Sequence, residues 1–318
     1  MIIREATIPE MIERDRLTAQ EWGYPLSQIQ FLERERRLRQ HPWSQKSMRT
    51  WVLVNESGLI LSSLETFDMP SILKKNAHIH HGITCGVASV YTAPEHRGRG
   101  HAKKLLSSVI QKDHESRSER LHSYILYSEV GEKIYRDVGF ESLNSYERVF
   151  SFPSKFQRQS QAKLLTCNEL AMEWNSPYLN QSVFQIMPDW NQLHWHIERE
   201  FIYAKLLQQD SLPYHGARIR NALIVWTKSF KDDLLRILSL QAESASEANE
   251  LLHAAMNVAS SHGIAKALAW EEDFFTQWDQ LSMPQERHYR EDSIAMIRPL
   301  ARELQSEDCH IVPRCVWV

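Results

Sequence analysis

Arg97, Gly98, Arg99 and Gly100 stand between an apolar run that ends at Tyr91-Thr92 and a stretch with helical apolar spacing from Ala102 onward. A turn of this kind delivers the chain into a helix N-terminus, where the first backbone N–H groups lack intrahelical acceptors and the helix dipole favours negative charge. Glycine lets the main chain approach a phosphate closely, and a guanidinium grips phosphate oxygens bidentately. The pattern therefore points to a pyrophosphate or nucleotide phosphate. It is not a dinucleotide fingerprint, because Lys103 replaces the last glycine and the preceding strands read as antiparallel, although Glu119 lies where a ribose ligand would be sought. It is not a P-loop either, since the Gly-Lys-Ser/Thr ending is missing.

Other chemistry-bearing residues are fewer. Two histidine-rich stretches, His78-Ile79-His80-His81 and His194-Trp195-His196, gather no further ligand type nearby, and no metal site is expected. The charged run 33–39 pairs Glu33 with Arg37 and Glu35 with Arg39 at i,i+4, which reads as a solvated, self-paired helix face. With 318 residues and a net charge of −3, the chain offers no electrostatic case for nucleic acid or an anionic membrane. It has no apolar run of membrane-spanning length, and Arg4-Glu5 interrupts any secretory core. Its four cysteines are scattered, so a reducing cytoplasm is the expected compartment. The oligomeric state is left open.

The elements that must position the turn follow from periodicity. A strand at 2–7 precedes helices ending near Trp22 and covering 27–40. Strands at 50–55, 59–67 and 82–92 form an antiparallel meander. Ala102, Leu105, Leu106, Val109 and Ile110 define one helix face. A strand at 122–128, a short helix within 131–140 and a closing strand at 146–152 complete a first domain, 1–152. A polar connection at 154–163 leads to a second domain, 164–318. There a helix at 190–209, strands at 221–230 and 234–241, a helix at 246–263 and a strand at 264–270 repeat the order strand–strand–helix–Gly–strand without an Arg-Gly turn. The second half reads as a degenerate copy of the first.

The stretch VYTAPEHRGRGHAKKL (90–105) resembles the acetyl-CoA-binding motif of the GNAT superfamily of N-acetyltransferases, and the element order over residues 1–150 agrees. The resemblance implies a mixed, mostly antiparallel α/β (α+β) sheet that splays at the acetyl-CoA site. It implies that main-chain groups of Val90 and Thr92 bond the pantetheine arm. Arg97, Gly98, Arg99, Gly100, His101 and Ala102 would hold the diphosphate, largely through their amides. GEKIYRDVGF (131–140) resembles the Tyr-x-x-x-Gly-Phe signature of the same family, which implies Tyr135 as the acid that protonates the departing thiolate. Many relatives carry an asparagine at the end of the preceding strand; Ser128 stands there, beside the expected cofactor.

Acyl transfer to an amine also needs a base, because an ammonium near pKa 10.4 is mostly protonated at neutral pH. Family members often place a carboxylate on the strand beside the motif, which implies Glu65; His80 and His81 are alternatives. The second half adds HWHIEREFIYAKLL, LPYHGARI and WTKSFKDDLLRILSL, which are similar to the C-terminal part of the fungal lysine N6-acetyltransferase family of lysine catabolism. That similarity implies a small-molecule amine, L-lysine, as acceptor, with the second half completing its pocket. Arg199, His215 and Arg218 would bind the substrate carboxylate, or instead form ion pairs with Glu198 or Glu200. Another small amine, a protein amine, or acyl-CoA binding without turnover are the other readings.

Overall fold

A computed structural model describes residues 1–75, 78–117, 119–176, 183–302, 304–309 and 312–317. The first half runs β1 (Ile2–Glu5), α1 (Ile8–Trp22), α2 (Gln28–Gln40), α3 (Pro42–Ser47), β2 (Met48–Val54), β3 (Ile60–Lys75), β4 (His78–Thr92), α4 (His101–Arg117), β5 (Leu121–Ser128), α5 (Lys133–Arg136), β6 (Glu141–Ser142) and β7 (Tyr146–Ser151). The second runs β8 (Lys163–Leu165), α6 (Cys167–Glu173), β9 (Phe184–Ile186), α7 (Trp190–Leu207), β10 (Gly216–Ile219), β11 (Ala222–Ser229), β12 (Leu234–Gln241), α8 (Ala245–Ser261), β13 (Lys266–Trp270), β14 (Glu286–Tyr289) and β15 (Ile294–Pro299).

The helix starts have local causes. Thr7 and Glu10 form a reciprocal capping box at α1, as Ser27 and Gln30 do at α2. Leu105, Leu106, Val109 and Ile110 of α4 are buried on Trp51, Leu64, Cys85 and Val87, the face that the periodicity selects. Each such aliphatic side chain stabilises the fold by about 1.5–3 kcal/mol on full burial. The predicted face of α8 is likewise buried, with Ala248, Leu251, Leu252, Ala255 and Ala259 against Ile224, Trp226 and Ile237.

The strands form two sheets, ordered β1-β2-β3-β4-β5-β15-β6, with β9 on β3, and β14-β7-β13-β12-β11-β10-β8. Two compact units result. One comprises Met1–Leu143, Asn180–Met187 and Glu291–Cys309; the other comprises Asn144–Leu179, Pro188–Arg290 and His310–Val318. The strand expected to close the first domain therefore does something else. β7 pairs with β13 and β14 in the second sheet, and β15, from near the chain's end, lies between β5 and β6 in the first. Strand propensity marks a segment as extended but says nothing about which of two similar edges it will join. The expected mixed α/β class holds, and the charged face of α2 needs one correction. Glu33 does pair with Arg37 at 2.7 Å, but Arg34 and Glu35 are buried rather than solvated.

Candidate active site

β4 carries the site. Its pairing with β3 shifts between Ser63 and Glu65, giving β4 one extra residue, and Ser89 in that bulge has φ +54°. On its other side β4 runs parallel to β5 only from Ile83–Leu121 to Val87–Leu126. β4 then continues to Thr92, whereas β5 continues to Ser128 paired with β15 at Ile294. The two strands part after Val87, and among the described residues no strand pairs with β4 on that side over 88–92. An open wedge lined by main-chain donors and acceptors is a place for an extended, amide-containing ligand arm.

The turn beyond the wedge is built for an anion. Gly98 and Gly100 have φ +75° and +73°, and among the described residues, their own chain neighbours aside, no heavy atom lies within 4 Å of where a Cβ would stand on either. The left-handed backbone needs glycine, and the space above it is open. The first helical bond of α4 runs from Lys104 N–H to the Gly100 carbonyl at 3.0 Å, so the His101, Ala102 and Lys103 amides precede any intrahelical acceptor. Burial lowers the His101 pKa, with His96, Arg99 and Lys104 adding positive charge nearby. These residues fit a diphosphate. Arg97 has a different task. Its Nε donates to the Thr92 carbonyl at 3.0 Å and its guanidinium pairs with Glu21 at 2.7 Å, so it braces the turn and occupies a Thr92 group expected to serve the ligand arm.

Tyr135 lies on α5, is 7% exposed, and packs in the cluster that contains Val87, Leu126 and, partly buried, Val90. Its ring is edge-on to Phe140 at 6.3 Å. Burial, helped by the negative charge of Glu129, pushes its pKa up to about 12. A phenol is protonated at neutral pH with or without that shift, as a general acid must be. A residue absent from the sequence reading holds this turn in place. Arg298 of β15 donates to the Val138 carbonyl at 2.6 Å and lies 3.4 Å from where a Cβ on Gly139 (φ +84°) would sit. The signature glycine is thus required by its left-handed backbone conformation, and a Cβ there would stand in ordinary contact with Arg298. Ser128 is committed elsewhere: its hydroxyl donates to the Gly131 carbonyl and accepts from the Val130 N–H, shaping its own turn rather than facing a cofactor.

Glu65 sits opposite Ala88 in the β3–β4 register, where the wedge opens, and is buried. One carboxylate oxygen pairs with Arg14 at 3.0 Å; the other, Oε1, has no hydrogen-bond partner among the described residues. Arg14 also lies 3.2 Å from Asp15 and 3.8 Å from Glu35, and Arg34 and Arg39 complete a buried cluster. Burial raises the Asp15 pKa against the pull of Arg39. Burial also works against the charge on Glu35, but Arg34, Arg14 and Arg39 outweigh it and hold that group at about 2. Nothing in the sequence marks Arg14 except its place on α1. The alternative bases His80 and His81 lie on the hairpin arm opposite Leu73 and Ile72. At about 3.3 Å per residue, seven or eight residues put them more than 20 Å along the strand from Ala88. They do not belong to this site.

The three residues expected at a substrate carboxylate are all in the second unit and have structural partners. Arg218 pairs with Glu173 and donates to the Arg220 carbonyl. His215 is buried 3.3 Å from Glu200, which also accepts from the Leu212 and Lys228 amides. Arg199 stacks near Trp195 and Tyr203 at 5.8 and 6.0 Å. Of the expected pairings, the contact of His215 with Glu200 is present among the described residues, at 3.3 Å. Among the described residues no group of three His, Cys, Asp or Glu is placed to hold a metal ion, and no helix is long and apolar enough to cross a membrane.

The bulged strand, the wedge and the glycine turn carry a shared pattern that extends to known proteins. Residues 15–140 match the model of the acetyltransferase (GNAT) family, and residues 160–313 match that of the LYC1 GNAT-like C-terminal domain. The chain belongs to the GNAT acetyltransferase family. A lysine acetyltransferase of Yarrowia lipolytica is 22% identical to it, over 88% of this chain and 86% of that protein. Among solved structures, a GNAT acetyltransferase from Kribbella flavida superposes with a TM-score of 0.57 at 17% identity, covering 94% of this chain and 72% of its own. A conserved protein of Enterococcus faecalis does so at 0.60 and 12% over the same shares. These likenesses establish a GNAT fold with two GNAT-like halves. This GNAT chain is an acetyltransferase, and its family takes the acetyl group from acetyl-CoA.

Proposed function

We propose that this enzyme transfers the acetyl group of acetyl-CoA to the side-chain amine of free L-lysine, in the reducing compartment that its four free cysteines suit. The observation that carries the cofactor half is the wedge after Val87 running into the open Gly98–Gly100 turn. The acceptor half is supported by the lysine acetyltransferase of Yarrowia lipolytica, which resembles this chain along nearly its whole length.

In this reading the amides from Gly98 to Lys103 hold the diphosphate, and main-chain groups around Val90 hold the pantetheine arm against β4. The lysine Nζ approaches the thioester carbon near Ala88, beside the unpartnered oxygen of Glu65, which accepts a proton from the amine as the C–N bond forms. The negative charge that develops on the carbonyl oxygen receives a main-chain N–H of the Val90 region, in a buried setting where such a bond counts for more than in water. The C–S bond then breaks, and the Tyr135 hydroxyl gives its proton to the leaving sulfur, so that N6-acetyl-lysine and the free thiol depart. Tyr135 is suited to this because a phenol is protonated at neutral pH and it packs in the cluster that holds Val87 and Val90, and Glu65 because Arg14 holds it beside the opening of the wedge.

The test is thiol release from acetyl-CoA with L-lysine, other amino acids, polyamines and lysine-containing peptides as acceptors. L-lysine should give the highest kcat/KM, with mass addition at N6. A polyamine or a peptide turned over at least tenfold better would replace the acceptor while keeping the chemistry. No release with any amine would remove the enzymatic reading.

A further inference from the structure

The second unit repeats the architecture of the acetyl-CoA wedge. β12 stands where β4 stands, with one extra residue at Leu238 shown by the register shift between Val225 and Trp226. β12 runs parallel to β13 only at Leu235–Ala267 and Arg236–Leu268, then continues to Gln241, while β13, paired with β7 along its other edge over 266–270, goes on to Trp270 without a further β12 partner among the described residues. The same opening between two parallel strands should follow. Here it is filled from within. Asp273, in the loop after β13 and 3% exposed, accepts the Leu240 N–H on Oδ2 at 2.6 Å, and on Oδ1 the Phe274 N–H at 2.8 Å and the Ser239 hydroxyl at 3.3 Å. Leu240 is two residues past the bulge, the part of β12 that corresponds to the ligand-facing stretch of β4.

The rest of the copy is equally unsuited to a diphosphate. Only Ala242, Glu243 and Ser244 separate β12 from α8, with no glycine among them, whereas eight residues including Gly98 and Gly100 separate β4 from α4. The Ser244 side chain caps α8 by accepting the Glu247 N–H, so one of the outward donors is already used. Charge is reversed as well. Glu243 and Glu247 lie at this helix start, where Arg99, His101 and Lys104 lie at the other, beside Arg97 and Lys103 paired with Glu21 and Asp137. The loop after β13 offers Phe274 and Phe275 in the region where the loop after β5 leads to Tyr135, and residues 271–277 include no tyrosine.

We infer that the second unit is an internally liganded copy of the cofactor site, in which Asp273 takes the place of a ligand's acceptor group, and that the chain binds a single coenzyme A, in its first unit. This rests on the proposed reading of the first unit. The copy serves as a scaffold whose interior is closed by its own side chain instead of by an exchangeable ligand. Its loop 271–275 and β12 are thereby tied together at all times, with or without cofactor.

Titration calorimetry with coenzyme A on the full chain should give one equivalent, and Gly100→Val, which forces a side chain onto a left-handed backbone in an exposed turn, should abolish it. Asp273→Asn should leave that one equivalent in place and lower the urea midpoint, since an amide can accept but presents N–H groups to donors. Two equivalents in the wild type, or one surviving Gly100→Val, would overturn the inference. So would an unchanged urea midpoint for Asp273→Asn, whatever the calorimetry shows. Absence of all uptake by the wild type, with the midpoint of Asp273→Asn still lowered, would instead fell the proposed function and leave Asp273 as the internal ligand.

Discussion

Replacing Arg14 by methionine keeps the length of the side chain and removes its charge. In the native cluster three guanidinium groups, Arg14, Arg34 and Arg39, balance three carboxylates, Asp15, Glu35 and Glu65, and Arg14 is 2% exposed at its side chain. The variant leaves three carboxylates against two cations, with Glu65 stripped of its Arg14 partner. Breaking a buried pair by removing one member costs about 3–5 kcal/mol. That is a large share of the roughly 5–15 kcal/mol that holds a domain together. With a urea slope of about 2–3 kcal/mol per molar, the midpoint should fall by about 1–2.5 M. The deficit should shrink as pH is lowered from 8 toward 5, because a buried carboxylate without its cation takes up a proton. Removing the orphaned charge too, in Arg14→Met/Glu65→Gln, should recover part of the loss, with a coupling of about 0.5–3 kcal/mol. Urea titrations followed by circular dichroism measure all three. A midpoint drop under about 0.3 M for Arg14→Met, or strictly additive effects in the double variant, would refute the account of Glu65 as a carboxylate held by Arg14.

Tyr135→Phe should lower kcat by about 10²–10⁴ while coenzyme A binding by calorimetry stays unchanged, since only the proton donor is lost. Arg298→Ala frees the Val138 carbonyl and loosens the turn under Tyr135; kcat should fall several-fold with KM for acetyl-CoA little moved in steady-state assays. Arg218→Ala should leave KM for the amine within about twofold, because its guanidinium is spent on Glu173. Burial holds the carboxyls of Glu272 and Asp273 at about 7, against values near 4 in the unfolded chain. A folded pKa raised in this way gives stability that is present at low pH and lost as pH rises through about 7. The urea midpoint should therefore decline between pH 5.5 and 8.5, and Glu272→Gln should decline less steeply.

The first unit's layout could be read from the chain because its signals are local. Helical spacing from Ala102 to Ile110, the glycine turn and the Tyr135–Gly139–Phe140 spacing each lie within a few residues, and each is found where expected in the fold. What escaped the reading depends on partners distant in sequence. Arg14 meets Glu65 across 51 residues and Arg298 meets Val138 across 160, and no spacing rule connects such pairs. Arg97 looks like a phosphate ligand by composition but is tied to Glu21, which only the packing of α1 brings near. Arg218 and His215 show the opposite hazard. Cationic residues in a polar segment suggest substrate recognition, whereas Glu173 and Glu200, remote in sequence, claim them. Short strands such as β8, β9 and β15 were missed because three to six residues seldom show an alternation clear enough to separate them from loop.

The exchange of β7 and β15 has a consequence for synthesis in the cell. Once residue 142 has left the ribosome, the strand that must fit between β5 and β6 is still about 150 residues away. At about 5–20 residues per second, roughly 8–30 seconds pass before it arrives. Throughout that interval the nascent sheet presents the bare edge of β5, an apolar strand, to its surroundings. A chain cut between its halves never receives the missing strand, so each fragment should be a client for chaperones and prone to aggregate rather than a working enzyme.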